Sequence, residues 1–413
     1  MRRFSRFANF SYIRTDLLEE HLEEAEFLWG QRDNALYSGD YDLADLAKLE
    51  KRLNAHLDGL SIGGARTIQL LEPELEGDDV YRIAAAAAGL LSLESEPANS
   101  LIFDSAAETS NETQVGFVMA LCFRPLTADV KAILQTWLNA ESANQLAIAW
   151  DVLSFWRDAC AADISVCVQH ENPLVRQAAA LAIGRLGRSE WLPFLAELQT
   201  DDDEEVRQMA CMSAAQTGDQ KLLEILRERC QSPEKVNPWE IHLLAILGDL
   251  SDVELLTGFL ADAATAESGA AALAALGYTQ AVPALLNAMS QPLSAAAAGA
   301  AFQRIVGCDL PILPPVEQTA EEEDAGFADM RPLPDRPKCQ DLWSELQNTL
   351  PADQRLRAGE ILTDDRWLAE PNQGDLLSRR EEIFRLRHKQ PGALPALELD
   401  APSTIQLALK QEA

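Results

Sequence analysis

The chain has 413 residues, of which 47% are hydrophobic, so it can bury a large core and global disorder is excluded. Its 66 acidic and 34 basic residues give a formal net charge of −32, which argues against nucleic acid and membrane partners, because both attract clustered Lys and Arg. No segment approaches the roughly 20 apolar residues of a membrane-spanning helix, and the basic N-terminus lacks the apolar stretch of a secretion signal. We therefore expect a cytoplasmic protein.

The cysteines are scattered over apolar stretches and form no Cys-x-x-Cys pair. An odd number dispersed in this way is typical of reduced core thiols, and it fits neither a disulfide framework nor a zinc site. The seven are Cys122, Cys160, Cys167, Cys211, Cys230, Cys308 and Cys339.

Residues 1–64 are predicted to form an N-terminal helical cap of two helices. In the second helix, leucines recur every three or four residues, which is the apolar stripe of an amphipathic helix. These are Leu43, Leu46, Leu49, Leu53, Leu57 and Leu60. Gly59 and the Gly63-Gly64 pair are expected to end the unit.

Residues 65–165 are predicted to be degenerate helical repeats. Residues 78–93 begin with an acidic turn, which suits the positive end of a helix dipole, and residues 112–122 and 143–156 resemble later copies of the same helix. Several aromatic residues lie on the amphipathic helices of the first 165 residues, and we assign them to the core rather than to a partner surface. They are Phe27, Trp29, Trp150, Phe155 and Trp156.

Residues 166–310 are predicted to form regular repeats, because a glycine recurs at intervals of 31, 30, 29 and 30 residues. Each glycine closes a run rich in alanine and leucine, and a second apolar segment follows. A fixed period of this length indicates a solenoid of two-helix units, in which each unit buries its apolar face against its neighbours. The glycines are Gly187, Gly218, Gly248, Gly277 and Gly307.

The composition changes at Pro311. Residues 311–340 are rich in proline and acidic residues, and they are predicted to be a linker or a long surface loop. Helices should resume in a C-terminal helical segment, residues 341–413, with 342–350, 355–364 and 375–388 as candidates. The tail at 394–411 reads equally well as extended chain or as a short helix.

Two of the repeats, residues 172–187 and 203–218, share the pattern Asp/Asn-x-x-Val-Arg followed by an alanine-rich helix and glycine. This resembles the short HEAT-like repeat that also occurs in phycobilin lyases and deoxyhypusine hydroxylases. The resemblance implies an all-α solenoid in which the arginine pairs with an acidic group of the adjacent unit. Arg176 and Arg207 hold that position, and the ladder should end there. The later units instead have Asn237, Ala266 and Ala296.

The flanks carry a second resemblance. Residues 27–36 and 49–60, with LRAGEILT at 356–363 and SRREEIFRLRHKQPG at 378–392, are similar to a bacterial family of unassigned function. Members of that family are often encoded beside type VI secretion spike and effector genes. The resemblance implies a secretion-linked accessory role by association and no established activity.

The dipeptide His170-Glu171 invites an enzymatic interpretation. Hydroxylases with HEAT-like repeats bind a di-iron centre through several His-Glu dipeptides, whereas only one of the five histidines here is followed by glutamate. The position one unit later holds Asp202, preceded by Asp201, so a di-iron site lacks its ligands. We interpret the pair as a polar turn between repeats, and the acidic run at 201–205 as the stabilised start of a helix. His56 and His242 should be half-buried and hydrogen-bonded.

Phosphate-binding signatures are missing from the sequence. It contains neither a GxxxxGK[ST] loop nor a GxGxxG loop. We therefore predict no catalytic, cofactor or metal site.

A basic cluster stands out near the C-terminus of this acidic chain, on the helix predicted at 375–388. Two interpretations remain: it pairs with the acidic linker residues 321–324, or it binds an acidic partner. The cluster comprises Arg379, Arg380, Arg385, Arg387, His388 and Lys389.

Taken together, these patterns predict an all-α protein, an α-solenoid of HEAT-like helical repeats with an N-terminal helical cap and a C-terminal helical segment. The leading hypothesis for its function is a non-catalytic protein-binding scaffold, and more finely an adaptor or chaperone for a type VI secretion effector or spike component. The alternative is an enzyme, lyase-like or metal-dependent, that acts on a protein substrate.

Metal analysis of the purified protein distinguishes the scaffold from the enzyme. We expect no stoichiometric iron or zinc, and bound metal would favour the enzyme.

Overall fold

The computed structural model describes residues 14–158, 163–232, 235–314, 332–370, 372–394 and 398–408. Over these residues the chain is almost wholly helical, with 22 α-helices, four short 3-10 segments and two strands of two residues each. The predicted all-α solenoid fold is confirmed. None of the helices in these ranges is both long enough and apolar enough to cross a membrane.

The helices of the first half begin after Arg14 and end at Thr217. In chain order they are α1 Thr15–Leu36, α2 Leu43–Ile62, α3 Ala65–Leu71, α4 Val80–Leu91, α5 Glu96–Glu108, α6 Gln114–Phe123, α7 Ala128–Trp137, α8 Ala143–Phe155, α9 Ser165–Val168, α10 Pro173–Leu186, α11 Leu192–Leu198 and α12 Glu204–Thr217. A 3-10 segment, Glu72–Glu76, follows α3.

The second half continues with α13 Leu222–Cys230, α14 Pro238–Leu247, α15 Val253–Gly258, α16 Ala266–Leu276, α17 Val282–Ala288, α18 Ala295–Val306, α19 Arg336–Leu346, β1 Leu356–Arg357, β2 Glu360–Ile361, α20 Asp364–Ala369, α21 Leu376–Lys389 and α22 Ser403–Ala408. The other 3-10 segments are Leu250–Asp252, Phe259–Ala261 and Thr279–Ala281.

These elements form two compact units. The first comprises the described residues of 1–217, 372–380 and 395–413, and the second those of 218–371 and 381–394. The division of the chain after Thr217 therefore falls inside the range predicted as one regular array, 166–310.

In each unit, alternate helices pack side by side in a row. In the first unit α1, α4, α6, α8, α10 and α12 follow one another, and in the second α14, α16 and α18 do so. We call these the lead helices. The helices between them pack against their neighbours in the row, as α11 does on α10 and α12 and α17 does on α18. The lead helices α4, α6 and α8 lie within 65–165, so these residues continue the row although their sequence repeats poorly.

Side-chain caps and glycines fix where many of the helices begin and end. The carboxylate of Asp79 accepts hydrogen bonds from the backbone N–H groups of Tyr81 and Arg82 at the start of α4. Asn172 caps α10 in the same way, with Pro173 in the first turn. Both arrangements satisfy N–H groups that a helix leaves without partners.

Four of the five repeat glycines end their helices in the left-handed conformation, which residues with a Cβ atom adopt at a cost. They are Gly187, Gly218, Gly277 and Gly307, with φ of 60°, 79°, 79° and 74°. Gly248 differs, because its φ is −71°. There the constraint is space, since a Cβ atom would lie 2.6 Å from both Asp252 Oδ2 and the Leu244 carbonyl oxygen.

Gly59 does not end the second helix as predicted. Helix α2 continues to Ile62, and Gly63 follows it. Gly59 instead leaves room for a neighbouring ring, because a Cβ atom there would lie 2.5 Å from His21 Nε2.

The segment predicted as a helix at 355–364 is a β-hairpin, so that prediction is wrong. Leu356 pairs with Ile361 and Arg357 with Glu360. The turn residues Ala358 and Gly359 have φ of 51° and 75°, as a two-residue hairpin turn requires.

Backbone groups of the hairpin bind the ends of two lead helices in the second unit. The N–H of Leu356 donates to the Gly277 carbonyl oxygen at 2.7 Å, just past α16. At the end of α18, the N–H of Ala358 donates to the Arg304 oxygen at 2.7 Å, and that of Gly359 to the Ile305 oxygen at 3.0 Å. Because the last carbonyls of a helix have no partner within it, the hairpin caps both helices.

The predicted linker carries structure at both ends. Ile312 forms a β-bridge with Pro334, and α19 begins at Arg336, inside the range 311–340. The middle of that range, 315–331, lies outside the described residues, as do the linker acids 321–324. In the tail, the structure gives the short helix α22 within the first unit.

Candidate functional site

The repeat arginines close turns and join neighbouring repeats. Arg176 binds the Asp201 carboxylate of the next repeat through two hydrogen bonds of 2.7 and 2.8 Å. The predicted pairing with an adjacent acidic group is thus confirmed for Arg176. Arg207 instead donates to the carbonyl oxygens of Asp201 and Asp202, at 2.7 and 2.9 Å, in the turn before its own helix.

His170 and Glu171 lie in such a turn, as the sequence predicted. Their carbonyl oxygens accept hydrogen bonds from Arg176 at 2.7 and 3.0 Å. The His170 Nδ1 atom accepts a hydrogen bond from the Asn172 backbone N–H at 3.0 Å. Within the described ranges, no group of three or more His, Cys, Asp or Glu side chains is placed to hold a metal ion.

His56 and His242 are both half-buried, as predicted, and a hydrogen-bond distance is found for His56. His56 is half-buried, and its Nδ1 atom lies 3.1 Å from Nδ1 of His21, a hydrogen-bond distance. His242 is half-buried too, and its Nε2 atom lies 3.6 Å from a carboxylate oxygen of Glu381.

The basic cluster is not an exposed patch, which corrects the prediction from sequence. Arg379, Arg385, Arg387 and His388 are all buried, with 2%, 2%, 9% and 5% of their surfaces exposed. Three of these arginines have partners that are remote in sequence, which are Gln406 for Arg379, Asp400 for Arg380 and Asp364 for Arg385. A role for Arg379, Arg380, Arg385 or Arg387 in binding a partner would therefore require internal contacts to open.

In the second unit, two glutamates of α21 organise a buried ionic cluster. Glu381 accepts hydrogen bonds from Arg304 at 2.7 and 3.0 Å and from Arg357 at 2.8 Å. Glu382 accepts one from Arg385 at 2.7 Å and lies 3.4 Å from the Arg355 guanidinium. Glu381 and Glu382 are 1% and 0% exposed, so both carboxylates are shielded from water.

Two arginines of this cluster also bind the end of α16. Arg355 donates to the carbonyl oxygens of Leu276 and Ala275 at 2.9 and 2.7 Å, and Arg357 donates to that of Ala274 at 2.6 Å. Cations are favourable at this end of a helix, where the dipole is negative. The cluster therefore fastens the hairpin to the lead helices.

The charges of the cluster shift its acid–base equilibria. Burial alone would raise the pKa of Glu381, but the charges of Arg304, Arg357 and His242 lower it to about 2. Burial lowers the pKa of Arg357 to about 10. Glu381 is therefore ionised and hydrogen-bonded to arginine at neutral pH, which suits a structural role better than that of a general base.

The first unit contains an open groove along its lead helices α1, α4, α6, α8 and α10, with a volume of about 510 Å³. We call it the lead-row groove. Its apolar lining includes Tyr37, Tyr81, Val115, Met119 and Phe155. Tyr37 and Val115 remain 54% and 47% exposed, so the groove offers apolar surface to a partner.

The charged groups that line the groove have hydrogen-bond partners within the unit. The Tyr81 hydroxyl donates to Asp33 at 2.9 Å, and Arg185 donates to Asp151 at 2.5 Å. Arg32 donates to Glu50 at 2.8 Å. Because these groups already have partners, apolar side chains can enter the groove without leaving a polar group there unsatisfied.

The groove has no activated cysteine nucleophile. Burial raises the pKa of the Cys122 thiol, which lines the groove, well above its usual value, so the thiol is protonated at neutral pH. The six cysteines in the described ranges are free and five of them are buried, as predicted. Cys160 lies outside those ranges.

Of the aromatic residues that were predicted to lie in the core, some are buried and others are partly or largely exposed. Trp29, Trp150 and Phe155 are buried, with 1%, 0% and 7% exposed, and Phe155 forms part of the groove lining. Trp156 is half-buried and donates from its ring N–H to the Leu121 carbonyl oxygen. For Phe27 the prediction is wrong, because 58% of its surface is exposed.

The lead-row groove was not predicted from the sequence, although α6 carries a signal. This helix is apolar on every face, from Val115 to Phe123, yet it is not buried on every face. A helix that is hydrophobic all round is buried or has a partner. The all-round apolar sequence of α6 is therefore the signal that could have indicated a binding surface.

Comparison with known proteins supports the repeat assignment. A family model described as HEAT repeats matches residues 163–237, and one described as PBS lyase HEAT-like repeat matches residues 266–291. The chain therefore contains HEAT-like repeats, as predicted. A search of curated proteins found no match.

Among solved structures, the crystal structure of an engineered protein is similar to this chain at 16% sequence identity. The match covers 91% of this chain and 100% of that protein, with a TM-score of 0.34. At that score the likeness supports no argument about function.

Proposed function

We propose that the chain is a non-catalytic protein-binding scaffold and that the lead-row groove is its binding surface. The observation that carries the proposal is the groove itself, where Tyr37 and Val115 stay exposed beside polar groups that already have hydrogen-bond partners. HEAT-like repeats present such surfaces along rows of helices, and exposed apolar patches commonly mark sites of protein interaction. The occupant is a segment of a partner protein that presents apolar side chains to the groove.

The finer proposal is that the partner is an effector or spike component of a type VI secretion system, for which the chain acts as adaptor or chaperone. The support is the similarity of residues 27–36, 49–60, 356–363 and 378–392 to a family encoded beside such genes. Mass spectrometry of proteins captured in the native host tests this identity. Recovery of only housekeeping proteins in repeated captures would contradict it.

The role of the groove can be tested with a matched pair of substitutions. Val115→Asp places an unpaired charge in the groove, whereas Val166→Asp makes the same change at a 66% exposed valine of α9 that does not line it. We expect Val115→Asp to weaken binding of the captured partner at least about tenfold, roughly 1.4 kcal/mol, and Val166→Asp to leave binding unchanged. Titration calorimetry with the purified partner measures both.

Circular dichroism verifies that both variants fold. Equal affinities of the wild-type protein and the Val115→Asp variant would show that the groove does not bind that partner.

A further inference from the structure

The lead-row groove ends against the C-terminal tail, residues 398–408, which lies in the same unit. Asp400 of the tail lines the groove together with Arg32 and Arg185. The site that holds the tail is therefore continuous with the apolar groove.

The two carboxylates of the tail, Glu398 and Asp400, bind to arginines. Glu398 accepts hydrogen bonds from Arg157 at 2.7 Å and from Arg185 at 3.2 Å. Asp400 forms an ion pair with Arg380, and its backbone oxygen accepts a hydrogen bond from Arg32 at 2.7 Å. Residues 398–401 form a turn, in which the Ala401 N–H donates to the Glu398 carbonyl oxygen at 3.1 Å. The hydrogen bonds to the two carboxylates are charge-assisted, and bonds of this kind are the stronger ones.

The next residues of the tail are also recognised through polar groups. Glu50 accepts hydrogen bonds from the backbone N–H and the hydroxyl of Ser403, at 2.7 and 2.5 Å. Arg379 donates to the side-chain oxygen of Gln406 at 2.6 Å. The unit thus binds individual side chains of the tail, as a receptor binds a peptide.

Part of this attachment faces water. The Asp400 side chain is 46% exposed and that of Arg157 is 27% exposed. Ion pairs that water reaches contribute little stability each, so a competing peptide that offers the same carboxylates can exchange with the tail.

We propose that the arginines Arg32, Arg157, Arg185 and Arg380 form a binding site for an acidic segment of a partner protein, which the tail occupies within the chain. The segment carries two carboxylates spaced as in Glu398 and Asp400, next to apolar residues that enter the groove. Binding of the partner displaces the tail. This inference rests on the proposed function and names the chemistry of the partner.

The test uses the full chain and a fluorescein-labelled peptide with the sequence of residues 394–411. A Glu398→Lys/Asp400→Lys variant releases the tail and leaves the arginines in place. We expect this variant to bind the peptide at least about tenfold more tightly than wild type in fluorescence anisotropy, because its own tail no longer competes. The control variant Glu254→Lys/Glu345→Lys makes the same charge change at exposed positions outside the groove, and it should bind as wild type does.

A second measurement does not depend on how the variant folds. In hydrogen exchange of the ¹⁵N-labelled wild-type chain, excess unlabelled peptide should accelerate exchange of the tail amides at 403–408 several-fold. A peptide with glutamine and asparagine in place of the two acids should have no such effect. Unchanged tail exchange at millimolar peptide would overturn the proposal, as would equal binding of the acidic and neutral peptides.

The two proposals fail in different ways. If the acidic peptide displaces the tail but Val115→Asp leaves partner binding intact, the inference stands and the groove proposal fails. If Val115→Asp abolishes partner binding but the peptide never displaces the tail, the groove proposal stands and the proposed arginine site for an acidic segment is wrong.

Discussion

Replacing Gly307 with alanine should destabilise the protein much more than the same change at Gly187. Both glycines end a lead helix with positive φ, at 74° and 60°. At either position, the left-handed backbone conformation destabilises an alanine variant by about 1–2 kcal/mol. At Gly187 a Cβ atom would meet nothing within 4 Å. At Gly307 it would lie 2.0 Å from the carbonyl oxygen of Ala358 and 2.5 Å from the backbone nitrogen of Gly359.

The clash at Gly307 involves backbone atoms of the hairpin that caps α18, so they cannot move without breaking its hydrogen bonds. Overpacking of this kind costs about a further 1–3 kcal/mol. Urea unfolding monitored by circular dichroism would measure the difference as a shift in midpoint. Gly392→Ala provides a control in the second unit, because Gly392 has a φ of 84° and open space around it. Equal midpoints for the Gly307 and Gly392 variants would mean that the hairpin does not pack against α18.

Replacing Glu381 with glutamine should destabilise the protein at neutral pH by about 3 kcal/mol, and the loss should shrink in acid. The pKa of Glu381 falls from its usual 4.5 to about 2 in the folded chain, and each pKa unit corresponds to about 1.4 kcal/mol. Because the folded-state pKa is lowered, this stabilisation is present above pH 4.5 and disappears as the pH falls towards 2. The stability difference between wild type and variant should therefore narrow by about 2 kcal/mol at pH 3.

Urea unfolding at several pH values between 3 and 7 would measure that difference. Glu360→Gln is a suitable control, because the Glu360 side chain is 68% exposed and pairs only with the exposed Arg366 among its described contacts. The free energy of unfolding of the Glu360→Gln variant should stay within about 1 kcal/mol of the wild-type value at every pH. A difference between wild type and the Glu381 variant that does not change with pH would contradict the low pKa of Glu381.

Local sequence patterns predicted the repeats well. The glycines closing α10, α16 and α18, and the arginine that binds the next repeat, follow from short-range rules of helix termination and repeat spacing. The helices that precede the glycines are rich in alanine, which has the highest intrinsic helix propensity.

The hairpin could not be predicted in the same way. The sequence LRAGEI has no strong strand pattern, and its conformation depends on the carbonyl oxygens of Gly277, Arg304 and Ile305, which are 50 or more residues away. Tertiary contacts therefore override a weak local preference.

The burial of the basic cluster was not predicted for a related reason. One of its ion pairs, between Arg385 and Glu382, is local, and the adjacent acids within α21 were a signal that the arginines are compensated. The partners Asp364 and Asp400 come from other segments, and no pattern within the helix reveals them. The groove, likewise, depends on which face of α6 the neighbouring helices leave uncovered.

The hairpin cap also affects how the second unit folds. Repeat arrays normally fold through contacts between neighbours, so folding can start anywhere and spread. Here the ends of α16 and α18 receive their hydrogen bonds from residues that the ribosome makes much later. Contacts between distant parts of a chain slow folding, because a long loop must close first. During synthesis, the carbonyl oxygens of Gly277, Arg304 and Ile305 therefore lack these hydrogen bonds until the hairpin has been made.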